Sequence, residues 1–253
     1  AFREIDDDLW EIIRKYLPPT KPHIGRPRRD LRGLINRILY VLTTGCTWHD
    51  VPEKYGMKPT VHRYRLEFCE KGVYQAIFLD LLQSGYETQK VDLTHCSTDT
   101  KDIPAKKEIA GYDGYNKVKG NKLSALVDRS GLPLACTVSP ANVHDSRFYE
   151  STLEAFAIPD IQDHPSSISA DPAYDSREFT SQPEETNKKQ HPGQPELPDA
   201  SKARKAILVR SGTLQKRSAI ERFFSWIEVF KKITPRFERY EHSFLGLSHL
   251  ACA

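Results

Sequence analysis

The sequence predicts a mixed α+β protein in which helices come first and a mixed five-stranded sheet with flanking helices follows. Two patterns of apolar residues lead to this prediction. Up to residue 88 they recur every three or four positions, which is the spacing of amphipathic helices. From Lys90 onward, short apolar runs alternate with polar residues or are bounded by turn residues, as in strands. We therefore predict a helical domain at 1–88 and a sheet-containing domain at 89–253.

The N-terminal region is predicted to contain several short helices. Asp6–Tyr16 begins with acids that can cap a helix. Asp30 can cap a second helix that continues to Leu42 and stops at Gly45. Further helices are predicted over Trp48–Tyr55, over Val61–Lys71 with Thr60 as its cap, and over Val73–Gln83. Short helices preceded by arginines suit a helix-turn-helix-like DNA-binding module, and a plain helical bundle with solvated arginines is the alternative.

The second region is predicted to alternate strands with helices. Strands are predicted at 91–96, 123–127, 134–138, 168–171 and 206–209, with a hairpin turn over 128–131. Helices are predicted after Asp145, from Ser176 and over Ser218–Thr234. The last of these has a buried face formed by Ile220, Phe223, Phe224, Ile227, Phe230 and Ile233. The segment 182–201 holds four prolines among polar residues, and we expect a loop or an insertion there.

Charge and composition narrow the class of protein. The formal net charge is only +3, but basic residues cluster at 26–37 and at 202–239, which indicates polyanion-binding surfaces or else solvated helix faces. No apolar run has the length of a membrane span and no signal peptide is present, so we expect a cytoplasmic protein without a membrane partner. The five cysteines are scattered, as expected in a reducing compartment. The chain starts at Ala1 and its single methionine is Met57, so we expect truncation at the N-terminus.

Three isolated acids stand at positions that suit a metal site. Asp99 and Asp171 each end a short apolar run, where a strand would meet a loop, and Glu221 begins the amphipathic helix. Divalent ions such as Mg²⁺ prefer carboxylate oxygens, and a pair of ions can stabilise the attacking and leaving oxygens of a phosphoryl displacement. Each acid also has an ordinary alternative. Asp99 could cap a turn, Asp171 could start a turn before Pro172, and Glu221 could be a partner of the helix dipole.

Several motifs in a fixed order resemble one family. They are STDTKDIPAKK, GYDGYNKVKGNKLSALVDRSGLPL, SPANVHDS, ADPAYDS and IERFFSWIEVFKKITPRFERY, with DLWEIIRKYLPP, GRPRRDLRGLINRILYVLTTGCTWHDVPEKYG and TVHRYRLEFCEKGV in the helical region. These segments resemble insertion-sequence DDE transposases of the group called family five, from Leu9 to about Leu250. The resemblance implies an RNase H-like catalytic domain at 89–253. It also implies cleavage and joining of DNA with two Mg²⁺ ions, which Mn²⁺ can replace.

The resemblance also implies roles for individual residues. Asp99, Asp171 and Glu221 match the family's catalytic and metal-binding acids, and His144 and Asp145 match its His-Asp pair, as candidates to support the metal ligands. The cations expected to contact DNA are Arg26, Arg28, Arg29, Arg63, Arg65, Lys117, Lys119, Lys122, Arg217, Arg222, Lys231, Lys232, Arg236 and Arg239. Their loss is expected to weaken DNA binding and to flatten its dependence on salt.

The chain departs from the family around the glutamate. Related transposases carry a Tyr–Arg–Glu–Lys signature, in which Arg217 matches the arginine four residues before Glu221. Leu214 stands where the tyrosine is expected, and Glu228 stands where the lysine is expected. The candidates to replace that lysine are Lys231 and Lys232.

The expected partners are double-stranded DNA, at the terminal inverted repeats of the element and at the target, and a second copy of the chain in a homodimer on DNA. By this interpretation the protein acts on the nucleoid of a prokaryote. Three alternatives stay open at this point. They are a transposase-derived DNA-binding protein without activity, an RNase H-like nuclease without strand transfer, and a helical interaction protein.

Overall fold

Side-chain caps fix the starts of the first helices in the computed structural model, which describes residues 2–19, 30–55, 58–105, 111–156, 158, 165–170, 207–210 and 214–253. The carboxylate of Asp6 accepts a hydrogen bond from the Leu9 N–H, and that of Asp30 accepts one from the Arg32 N–H. Both predicted caps are confirmed. The N-terminal helices are α1 (Asp7–Ile13, continued by a 3₁₀ turn at Arg14–Tyr16), α2 (Leu31–Thr44), α3 (Lys58–Glu70) and α4 (Val73–Glu87).

Two helices in this region differ from the prediction. α3 begins at Lys58, so Thr60 lies inside the helix and does not cap it. The segment 48–55 contains only a 3₁₀ turn, Glu53–Tyr55, and not a helix over its whole length. The hydroxyl of Thr47 bonds to the Asp50 carboxylate and accepts from the His49 N–H, and such local side-chain bonds compete with helix formation.

Two glycines with left-handed backbone end α2 and precede α4. Gly45 has φ 71° and Gly72 has φ 65°. A Cβ on Gly45 would lie 2.6 Å from the Cβ of Lys231, whereas no described atom lies within 4 Å of a Cβ on Gly72. We predict that Gly72→Ala lowers the free energy of unfolding by about 1–2 kcal/mol through backbone strain alone, and that Gly45→Ala costs about 1–3 kcal/mol more. Urea unfolding of both variants checks this prediction, and equal losses would contradict the contact at Gly45.

Within the described residues, the strands form one mixed sheet. They are β1 (Cys96–Pro104), β2 (Gly111–Asp113), β3 (Val118–Val127), β4 (Pro133–Pro140), β5 (Ser167–Ala170) and β6 (Ile207–Arg210). The order is β4-β3-β1-β5-β6, and the short β2 pairs with the beginning of β3. β3 is antiparallel to both β4 and β1, whereas β1, β5 and β6 are parallel. A mixed five-stranded sheet extended by one short strand, preceded by helices, confirms the predicted fold class.

The first strand lies later in the chain than predicted. Residues 91–95 are not a strand, and within them the Asp92 carboxylate accepts hydrogen bonds from the N–H and hydroxyl of Thr94. β1 instead starts at Cys96, and its residues 97–104 pair with β3. The prediction that Asp99 ends a strand is therefore wrong, because Asp99 lies inside β1, opposite Ala125. Pairing with β3 satisfies the backbone of a polar run whose own preference for strand is weak.

Helices cover both faces of the sheet. α5 (Ser146–Glu154) packs on one face, where the Thr152 hydroxyl donates to that of Ser124 at 2.7 Å. α6 (Leu214–Ile227) packs on the other face, where Ala125 shares a buried cluster with Ile220 and Phe223. α7 (Glu241–Cys252), which the sequence analysis did not predict, packs against α3, α4 and β4. The cluster beneath α6 also contains α2 and α3 side chains, so the N-terminal helices and the sheet share one core.

α6 has different bounds from the predicted helix. It starts before Ser218, so Glu221 lies two turns inside it and not in its first turn. It ends at Ile227, well before Thr234. Beyond this end, the N–H groups of Lys231 and Lys232 donate to carbonyls of α2 at 3.4 and 3.1 Å. These tertiary hydrogen bonds replace the helical ones that the predicted extension required.

Some predictions lie outside the described residues, namely the helix from Ser176 and the insertion at 182–201. No helix in the described part of the chain combines the length and the apolar character needed to cross a bilayer. All five cysteines are described, and each is a free thiol.

Candidate active site

Asp99 lies on the face of β1 that α6 covers. Side chains alternate along a strand, so Asp99, Lys101 and Ile103 share one face. Ile103 belongs to the same buried cluster as Phe223 of α6, which identifies that face. Asp99 is half-buried, and its carboxylate accepts a hydrogen bond of 2.8 Å from the Thr100 N–H.

Two contacts fix the direction of α6 across this face. The Arg222 guanidinium donates to the carbonyl of Ser130, in the turn beside the start of β1, at 3.2 Å. Further along, the Lys101 ammonium lies 2.5 Å from the Glu228 carboxylate and 5.7 Å from the centre of the Phe224 ring. α6 therefore runs in the same direction as β1.

These contacts place Glu221 near Asp99. Glu221 precedes Phe224 by three residues and Glu228 by seven. The Glu228 N–H donates to the Phe224 carbonyl at 3.3 Å, so the helical path continues one residue beyond α6 and the three residues lie along one stripe. At about 1.5 Å per residue, Glu221 lies about 4.5–10.5 Å before the two residues that Lys101 contacts. Asp99 lies about 7 Å before Lys101 along β1. The two acids are therefore at about the same level, and Glu221 is open to solvent.

β5 approaches this level from the neighbouring position in the sheet. Its parallel register pairs Ser169 with Ser97 of β1, and the strand ends at Ala170. Asp171 itself lies outside the described residues. In the sequence, Asp99 follows Ser97 by two positions, and Asp171 follows Ser169 by two positions. Among the described residues, no group of three His, Cys, Asp or Glu side chains could hold a metal ion.

The His-Asp pair lies apart from Asp99. The Asp145 carboxylate accepts a hydrogen bond of 2.7 Å from the Lys122 ammonium, which lies 3.4 Å from the Asp113 carboxylate. Lys122 stands opposite Asp102 in the β1–β3 ladder, on the face that α5 covers, whereas Asp99 is on the other face. His144 is exposed just before α5. We therefore do not carry this pair forward as support for the metal ligands.

The charge of Lys122 organises this second cluster. Burial alone would lower the pKa of Lys122, but the hydrogen bond and the charge of Asp145, with the charges of Asp102 and Asp113, more than offset burial and raise it. Burial raises the pKa of Asp102, whose carboxylate accepts a hydrogen bond from Asn116. The cluster thus ties the β2–β3 hairpin and the start of α5 to the sheet.

The predicted DNA-binding cations divide by exposure. The exposed ones are Arg63, Lys117, Lys119, Arg222, Lys231 and Arg239. The buried ones are Arg65, Lys122, Lys232 and Arg236. Arg236 is 1% exposed and donates to Asn121 and to the Glu238 carbonyl, and Arg65 pairs with the Glu238 carboxylate. We do not carry the buried cations forward as contacts along the DNA backbone, because a phosphate cannot reach a charge that is enclosed by protein.

The remaining cations have no described side chain. Arg26, Arg28 and Arg29 lie outside the described residues, and Arg217 lies within α6.

The sequence analysis missed Lys101, whose ammonium joins β1 to α6 beside the candidate acids. Its position two residues after Asp99, in a polar run, was the available signal. A strand places residues i and i+2 on one face. A predicted first strand that included both Asp99 and Lys101 would therefore have placed Lys101 on the same face as Asp99.

Comparisons with known proteins match both regions of the chain to families. Residues 85–253, more than half of the chain, match the family described as "Transposase DDE domain". Residues 5–78 match the family described as "Putative transposase of IS4/5 family".

Two relatives match shorter stretches. "Insertion element IS402 uncharacterized 16.2 kDa protein" from Burkholderia cepacia is 32% identical over 107 residues, covering 40% of this chain and 73% of the relative. "Uncharacterized protein y4sN" from Sinorhizobium fredii is 26% identical over 117 residues, covering 46% of this chain and 86% of the relative. With β1, β5 and α6 arranged as above and the family model matching the whole sheet region, the chain belongs to the DDE transposase family.

Proposed function

We propose that this protein cleaves DNA at the ends of an insertion element and transfers the freed strand into target DNA, in a reaction that depends on divalent metal. The observation that carries the proposal is the convergence of three elements. β1 bears Asp99, α6 brings Glu221 to the same level, and β5 ends one residue before Asp171. Consecutive Cα atoms are about 3.8 Å apart, so the chain itself limits how far Asp171 can lie from the end of β5.

The donor set suits Mg²⁺. Asp99, Asp171 and Glu221 offer only carboxylate oxygens, which hard divalent ions prefer. Three carboxylates gathered without a cation would repel one another, which is a stability cost that bound metal removes. Bound there, a pair of Mg²⁺ or Mn²⁺ ions would supply Lewis-acid stabilisation of the attacking and leaving oxygens. The exposed position of Glu221 leaves room for a DNA phosphate beside the acids.

Exposed cations beside the acids and on the β2–β3 hairpin offer positive charge to the DNA backbone. Arg222 lies one residue after Glu221, and Lys231 follows α6. Lys117 and Lys119, on the β2–β3 hairpin, offer further positive charge. Each phosphate neutralised contributes to binding in a way that weakens as salt rises.

The N-terminal helices are proposed to recognise the terminal inverted repeats, with Arg63 of α3 exposed for this purpose. The two regions share one buried core. We nevertheless propose that they differ in function, with DNA recognition in 1–88 and catalysis in 89–253. Two element ends must be held together, so we propose a homodimer on DNA, acting in the cytoplasm on nucleoid DNA.

The test is cleavage of a supercoiled plasmid that carries the element ends. We predict nicking in Mg²⁺ or Mn²⁺ and none in EDTA. Asp171→Asn is expected to abolish nicking and to leave DNA binding, measured by gel shift, within about twofold of the wild type, because it removes a metal ligand and no DNA contact. Cleavage that persists in this variant would refute the assignment of the acids. Capture of labelled element ends in a target plasmid distinguishes strand transfer from cleavage alone.

A further inference from the structure

Two cysteines meet between the sheet and helix α7. Cys136 lies in β4 and is 2% exposed, whereas Cys252 is the last residue of α7 and is half-buried. α7 packs on β4, and Cys252 packs against the buried cluster to which Cys136 belongs. The Cys252 thiol donates a hydrogen bond to the Cys136 sulfur, so the two sulfur atoms are in contact. No step of the proposed function uses this pair.

A histidine completes the cluster. His249 precedes Cys252 by three residues, so the two side chains lie on one side of α7. The His249 ring is 7% exposed and stacks on the Phe78 ring of α4, with 5.8 Å between the ring centres. It also forms hydrogen bonds with the side chain and the backbone of Cys136. Contacts with α4 and with β4 therefore hold the imidazole beside the Cys136 sulfur.

These contacts favour a thiolate at Cys136. The hydrogen bond from Cys252 lowers the pKa of Cys136, and the nearby imidazole of His249 lowers it further, against the opposing effect of burial. Burial alone would lower the pKa of His249, but the charge and the hydrogen bonds of Cys136 more than offset burial and raise it. The thiolate is the form of cysteine that reacts with oxidants, and redox-sensing cysteines often have a second thiol beside them.

Two other cysteines lack these features. Burial raises the pKa of Cys69 to about 11 and that of Cys96 to about 12, so both remain neutral thiols at neutral pH. A neutral thiol is a poor nucleophile. The chain therefore combines a thiolate-forming cysteine with a partner thiol in contact at Cys136 and Cys252.

We propose that Cys136 and Cys252 form a reversible disulfide when the protein meets hydrogen peroxide. The Cys136 thiolate attacks one oxygen of the peroxide and expels hydroxide, which leaves a sulfenic acid on Cys136. The Cys252 thiol then attacks the Cys136 sulfur, the S–S bond forms, and the sulfenic oxygen leaves as water. The expelled hydroxide takes up a proton from solvent. The two sulfurs together lose two electrons, the peroxide is reduced to two waters, and a thiol reductant restores both cysteines.

The disulfide would tie α7 to the sheet. α7 also packs against α3 and α4, so the bond would fix a helix that contacts both regions of the chain. The two cysteines are more than a hundred residues apart in the sequence. A cross-link over so long a loop restricts the unfolded chain strongly, and we expect it to raise the Tm by about 5–15 °C. This inference does not depend on the proposed function, because neither DNA nor the candidate acids take part in it.

The test begins with the reduced wild-type chain, which is freed of reductant and treated with a small molar excess of hydrogen peroxide. We expect the protein to lose two of its five thiols, counted with a thiol reagent in denaturant. Mass spectrometry of a tryptic digest without reductant should show the peptide of Cys136 joined to that of Cys252. The Tm should rise by about 5–15 °C, and dithiothreitol should reverse both changes.

Cys252→Ser is expected to remove the rise in Tm, because its partner thiol is absent. Cys69→Ser is the matched control, since Cys69 is also half-buried and lies on α3, and this variant should keep the full rise. Five thiols in the treated wild type, a disulfide between other cysteines or between two chains, or an equal rise in Cys252→Ser would overturn the inference. The peptide map of the wild type decides the matter even if Cys252→Ser does not fold.

Discussion

Asp99→Asn is expected to lower the rate of metal-dependent DNA cleavage by about a thousandfold or more. The amide keeps the size and the strand position of the aspartate but removes a charged metal ligand. The stabilisation that bound metal gives to the transition state is worth several kcal/mol, and each 1.4 kcal/mol corresponds to a tenfold change in rate. Single-turnover cleavage of an element-end duplex measures the effect, and a gel shift checks that binding is retained.

Asp102→Asn is the matched control for this prediction. Asp102 is on the same strand, three residues later, but on the face that α5 covers. Burial raises its pKa, which shows that its surroundings favour the neutral form, so an amide should be tolerated there. We expect cleavage within about threefold of the wild type. If Asp99→Asn and Asp102→Asn lowered the rate of cleavage by similar factors, the importance of the β1 face that α6 covers would be contradicted.

The second large effect concerns the ion pair between α3 and the segment after α6. The Arg65 guanidinium and the Glu238 carboxylate are 2.8 Å apart, and the two side chains are 3% and 8% exposed. Removal of one partner leaves the other charge buried and uncompensated. We predict that Arg65→Met lowers the free energy of unfolding by about 3–5 kcal/mol, measured by urea denaturation. The double variant Arg65→Met/Glu238→Leu should regain most of this loss, because both charges are then absent.

An exposed ion pair on the same helix provides the comparison. Lys71, one residue beyond the end of α3, lies 2.7 Å from Glu67 of that helix, and the Lys71 side chain is 57% exposed. Lys71→Ala should change the free energy of unfolding by less than about 0.5 kcal/mol. A loss below about 1 kcal/mol in Arg65→Met, or no recovery in the double variant, would show that the buried pair does not hold the two parts of the chain together.

The helix ends illustrate what local chemistry makes predictable. Asp30 caps α2 and Gly45 ends it because both act through hydrogen bonds and backbone angles within a few residues. The buried face of α6 follows from spacing in the same way, and Ile220, Phe223 and Ile227 are buried as predicted. Short-range rules of this kind also indicated the succession of helices and strands that defines the fold class.

Features that depend on distant partners could not be predicted in this way. β1 forms along a polar run because β3 supplies its hydrogen bonds, and this moves Asp99 from a strand end into a strand. α6 ends at Ile227, and the N–H groups of Lys231 and Lys232 beyond it donate to α2 carbonyls from a distant part of the sequence. The burial of Arg236 depends on contacts with Asn121, more than a hundred residues away.

Residue pattern alone was therefore enough for the fold class and for the caps at Asp6 and Asp30, whereas the three acids stay a proposal. The face of β1 on which Asp99 lies and the buried or exposed state of the described cations came only from the folded chain. The physical reason is that caps and amphipathic spacing act over a few residues. Strand register and the burial of charge depend on segments that folding brings together from far apart in the sequence.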